Sequence, residues 1–114
     1  MAHREKWDLR MMSVKTLTAS TVVDRLGAGE CVFFSCESTA ATQNITLPHP
    51  SKCFGTEFMI KRVGAAPTVI VSSTTGILID SATNFVLLTA QYQYVRLIAG
   101  LDKYHVVENT GALA

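Results

Sequence analysis

Three imidazoles, three thiols and a few scattered carboxylates are the groups in this 114-residue chain whose types suit them for chemistry. A metal site needs two or three ligands brought together, usually by tight spacing. His3, His49 and His105 fall near the N-terminus, in a turn and in a strand, so they read as solvated or hydrogen-bonded side chains. Cys31, Cys36 and Cys53 are an odd number, and their spacing fits neither a paired disulfide framework nor a zinc ribbon. They read as reduced, buried small apolar residues, with a Cys31–Cys36 bridge as the alternative if two strand ends meet. Glu57, Asp80 and Asp102 invite a two-carboxylate glycosidase reading. Asp80 and Asp102, however, fall in turns, where aspartate commonly caps the backbone. No G-x-S-x-G elbow accompanies the serines and histidines. The sequon Asn44-Ile45-Thr46 reads simply as strand. The expectation is a protein that is not an enzyme and carries no catalytic residue, metal or cofactor.

The bulk composition asks for a different role. The chain is 48% hydrophobic and 17% charged, with a formal net charge of +1. That much apolar surface on a small chain goes into a membrane or a subunit interface. A spanning helix needs about 20 consecutive apolar residues. The greasiest runs, Phe85-Val86-Leu87-Leu88 and Val95 to Leu101, are short and interrupted by Arg96 and Gly100. The charged start of the chain lacks the apolar stretch of a signal peptide. Lys61-Arg62 is the only adjacent basic pair, too little for a counterion-releasing nucleic-acid surface. Neither membrane nor nucleic acid is expected as a partner, and synthesis in a cytoplasm is.

The elements that must position these residues are strands. Turn clusters recur roughly every 8–12 residues, the rhythm of all-β chains. Between them lie β-branched and aromatic segments: Ser13–Thr18, Cys31–Ser35, Asn44–Leu47, Glu57–Val63, Thr68–Ser72, Ile77–Asp80, Asn84–Thr89, Tyr92–Ala99 and Lys103–Val107. No window carries a sustained helical stripe. The predicted architecture is all-β, with short antiparallel strands forming a sandwich or barrel-like domain over residues 13–114. A short N-terminal arm, residues 1–12, precedes it.

Several strands are apolar on both faces. Phe58 and Ile60 oppose Met59 and Val63. Tyr92, Tyr94 and Ile98 oppose Val95, Leu97 and Ala99. Val69 and Val71 oppose Ile70. A lone antiparallel domain leaves one face wet, and no helix is available as a cover. A second copy of the chain is the simplest cover; a closed monomeric barrel is the competing explanation.

A resemblance narrows the role. It runs through Ile45-Thr46-Leu47-Pro48, Phe58 to Gly64, Val69-Ile70-Val71, Gly76 to Ser81, Tyr92 to Ile98 and Leu101 to Val107. In this order the stretch Ile45 to Val107 resembles a module of tailed-bacteriophage virion proteins, found in capsid decoration (cement) proteins, head fibres, tail fibres and tailspikes. Ser81 stands where the module usually has Gly, and Tyr104 where it often has Trp. The resemblance implies a homotrimer that binds other virion parts or a host surface without chemistry. With no room for a fibre shaft, the expected role is a decoration protein on the outer capsid surface, partnered by the major capsid protein. A head or tail fibre component binding a host receptor is the alternative. Phe58, Ile60, Tyr92, Tyr94, Leu97 and Tyr104 are the candidate core and trimer-interface residues. A three-fold axis would also gather three copies of His105. Trp7, Leu9, Met11 and Met12 read either as a frayed terminus or as an arm docking on a partner, with Trp7 as anchor.

Overall fold

The computed structural model describes residues 12–23, 31–39, 41–65, 67–80 and 83–113. Trp7, Leu9 and Met11 lie outside these residues, as does the side chain of Met12. Eleven strands run through the described residues: β1 (Met12–Leu17), β2 (Thr21–Val22), β3 (Cys31–Cys36), β4 (Gln43–Leu47), β5 (Glu57–Arg62), β6 (Val69–Ser73), β7 (Leu78–Ile79), β8 (Phe85–Leu88), β9 (Tyr94–Ala99), β10 (Lys103–Asn109) and β11 (Ala112–Leu113). Among the described residues one 3-10 turn, Pro50–Cys53, interrupts them. Among the described residues no helix is long and apolar enough to cross a membrane.

The all-β expectation holds, but the antiparallel one does not. The strands form two mixed sheets, ordered β1-β3-β5-β9-β10-β7 and β11-β8-β6-β4-β2. β1, β3 and β5 run parallel, as do β2, β4 and β6. From β1 to β9 the chain changes sheet after every strand, so the connection between two parallel neighbours is a strand of the opposite sheet. The first six strands are therefore three stacked coils, each contributing one strand to each sheet. Antiparallel pairing begins only where β8 closes on β6 and β9 on β5. Among the described residues the sole hairpin between consecutive strands is β9–β10, closed by the Gly100 amide donating to the Lys103 carbonyl at 2.9 Å. The physical reason for the difference is that turn residues mark where a chain reverses. They carry no information on which sheet it enters next.

One core lies between the sheets. Register stacks Val32, Phe58, Leu97 and Val106 in one row and Phe34, Ile60 and Val95 in the next. Ile45, Val71 and Val86 form the facing row from the second sheet. All of these are fully or nearly fully buried except Val106, which packs against them from the edge. Tyr104 is buried with them, its hydroxyl donating to the Pro48 carbonyl at 2.6 Å and lying 3.4 Å from Cys53 Sγ. That contact fixes the 3-10 turn against the closing strand. The three thiols are free and buried. Cys31 and Cys36 sit at opposite ends of β3, on opposite faces, beyond the reach of a disulfide. Burial pushes the Cys36 thiol up to about 12, so it stays protonated and inert.

Candidate assembly surface

Alternation along each strand sets what the outer faces carry. On the first sheet, the row Val14–Phe33–Met59–Arg96–Glu108 points away from the core, beside Cys31–Glu57–Ile98–His105 and Thr16–Ser35–Lys61–Tyr94. Val14 is 68% exposed, while Phe33 and Met59 are half-buried. On the second sheet, Ile70 pairs with Leu87, Ser72 with Phe85, and Thr46 with Val22, all on the outer side. Val22 is 72% exposed. Apolar side chains thus occupy both outer faces, as the two-sided strands imply.

Half of the first sheet's outer face is polar and locked. Arg96 Nη2 and Nε engage Glu57 Oε2, the latter at 3.1 Å, and Nη1 reaches Glu108 Oε1 at 3.4 Å. Tyr94 donates its hydroxyl to Glu108 Oε2 at 2.6 Å. A bulge in β10 makes this possible. Val106 pairs with Leu97 and Glu108 with Arg96, leaving Val107 as the extra residue. Without that extra residue Glu108 would face the core beside Val95. Pairs this exposed contribute little to stability because solvent screens them; their effect here is to hold a fixed polar rim.

The Tyr94 hydroxyl, followed by the Arg96 guanidinium, holds the Glu108 carboxyl below the usual glutamate range. A lowered folded-state value stabilises the fold above the unfolded group's pKa, about 4.3. That contribution drains away as pH falls through the lowered value. An NMR carboxyl titration should therefore place Glu108 below ordinary glutamate, and Tyr94→Phe should move it up. An unchanged midpoint in Tyr94→Phe would remove the hydroxyl as the cause.

The residues singled out in the sequence divide sharply. Phe58, Ile60, Leu97 and Tyr104 are 0% exposed, filling the core between the sheets. Tyr94 lies half-buried on the outer face. Tyr92 is 60% exposed on the β8–β9 loop in a left-handed conformation, φ 72°, with the Lys61 ammonium 5.8 Å from its ring centre. The carboxylates of the glycosidase reading are otherwise engaged or exposed. Asp80 Oδ1 accepts the Val106 amide at 2.9 Å, Glu57 holds Arg96, and Asp102 is an exposed residue of the β9–β10 turn. His49 Nδ1 accepts the Ser51 amide at 3.2 Å, capping the 3-10 turn, and His105 is exposed. His3 lies outside the described residues. A cleft of about 140 Å³ opens beside Leu47, Pro48, His49 and Lys52. Sites for small molecules generally run to roughly 300–1,000 Å³.

Sequence reasoning missed Val14, Phe33, Phe85 and Leu87 as surface residues. The signal for Phe33 was present, because Val32-Phe33-Phe34 puts bulky side chains on both sides of one strand. No protein-family model matches the chain, and no curated protein matches it.

Proposed function

We propose that the protein is a structural component of a tailed-bacteriophage virion, a capsid decoration protein that assembles as a homotrimer. It is made in the bacterial host cytoplasm and seats on the outer surface of the head against the major capsid protein. The observation that carries this reading is the apolar character of both outer sheet faces, with Val14, Phe33 and Met59 on one and Val22, Ile70, Phe85 and Leu87 on the other. A single copy leaves these groups facing water; neighbouring copies and a shell surface cover them. The phage assignment itself rests on the ordered resemblance between Ile45 and Val107. The mechanism is mechanical: added buried interface raises the work of separating coat subunits under the outward pressure of packaged DNA. No catalytic step is part of it.

One observation favours receptor binding by a head or tail fibre component as the second reading. Phe54 and Tyr92 are large aromatic side chains exposed on loops. They lie at opposite ends of β5, since the Gly55 amide meets Ala99 and the Tyr92 amide meets Arg62. A single receptor-binding tip would use only one of them.

Light scattering of the purified protein should give three times the 12.4 kDa chain mass. The protein should also bind expanded heads that lack it. A stable single chain that leaves such heads bare would end the decoration reading. Competition with phage for host adsorption would favour the fibre reading instead.

A further inference from the structure

The first coil is polar at three of the inner positions that the two above it fill with apolar side chains, although Leu17 and Val23 still pack on the core. Register assigns each position of β1 to a face. Ser13 continues the core row of Val32 and Phe58, and Lys15 continues that of Phe34 and Ile60. In the second sheet, Thr21 continues the row of Ile45 and Val71. The second and third coils fill all these inner slots with buried apolar side chains, whereas Ser13 and Lys15 are exposed. The outer slots of the same coil hold Val14 and Val22, two of the most exposed apolar residues described. Among the described residues, β1 and β2 each have a strand partner on one side only.

A stack of coils with an open edge invites another coil. The backbone groups along that edge are already spaced for pairing, and an apolar interior would continue across the junction. A charge directed into the shared core prevents this, because the incoming coil would have to bury an unpaired ammonium. From this we infer that the β1/β2 end is a closed face, with Lys15 as the residue that blocks a second copy from stacking there. Association is thereby restricted to the sides of the stack, where the first coil's valines lie.

The two ends of the stack differ: β1 and β2 form one edge, and β7 and β11, two residues each, form the other. The short β7 offers no match for the six-residue β1, so removing the block joins like ends about a two-fold axis, giving a discrete doubling instead of a fibre. The test compares sedimentation velocity of the full-length wild type with Lys15→Ile/Thr21→Val, across concentration. The variant should form a species of twice the wild-type mass that grows with concentration. Lys15→Arg should match the wild type. Asp102→Ile, at an exposed position of the β9–β10 turn away from this coil, should also leave the mass unchanged. The inference is overturned if the folded double variant keeps the wild-type mass, or if Asp102→Ile raises it equally, which would mean general stickiness. Because the baseline is the wild type's own mass, the outcome is independent of whether that mass is trimeric.

Discussion

Phe58→Ala should lower the unfolding free energy by about 3–5 kcal/mol, the range for emptying an aromatic core position. Phe58 is the centre of the aromatic cluster. Its ring stacks on Phe34 with centroids 6.2 Å apart and meets Tyr104 edge-on at 5.9 Å. Each neighbour ties the core to another element, Phe34 to β3 and Tyr104 to β10 and, through Pro48, to the 3-10 turn. Alanine leaves a void bordered by two rigid rings, which cannot close over it as flexible aliphatic chains would. Domains of this kind have only about 5–15 kcal/mol of total stability, so the variant should unfold at a much lower urea concentration. Phe58→Leu, which retains most of the volume, should lose much less. A loss below about 1 kcal/mol in Phe58→Ala would contradict the packing described.

Arg62→Ala should cost on the order of 3 kcal/mol, through lost charge-assisted bonds and stranded carbonyls. Arg62 lies on the core side of β5, only 7% exposed. Its Nη1 donates across the core to the Leu88 carbonyl of β8 at 3.3 Å, and its Nε to the Gly64 carbonyl at 3.3 Å. It therefore links the two sheets at the end of the core and pins the loop after β5. That loop has no slack, because a Cβ at Gly64 would come within 2.3 Å of the Ser38 carbonyl oxygen. Arg62→Lys should recover only part of the loss, since one ammonium cannot reproduce a planar fork. Equal urea midpoints for Arg62→Ala and the wild type would show that water replaces the guanidinium without penalty.

Much of this arrangement is readable residue by residue. The nine expected strands all appear, with ends shifted by a residue or two. The two strands not anticipated, Thr21–Val22 and Ala112–Leu113, are two residues long and too short to show alternation. The opposition of Phe58 and Ile60 to Met59 becomes the division between core and outer face. The candidate surface was only partly legible. Tyr94 was assigned correctly to the side opposite Val95 and Leu97. Its partner Glu108, by contrast, reaches that side only because of a one-residue bulge that no local pattern announces.

By itself, then, the chain's order of residues determined which side chains share a face, because a strand's period of two is a local property of its own backbone. Only the tertiary structure decided which strands lie beside which, and with them the parallel coils, the polar inner slots of the first coil and the Arg96 network. Pairing joins residues about 19 to 26 apart in sequence, as with Lys15, Phe34 and Ile60. Its outcome depends on which apolar surfaces remain uncovered once every strand is in place.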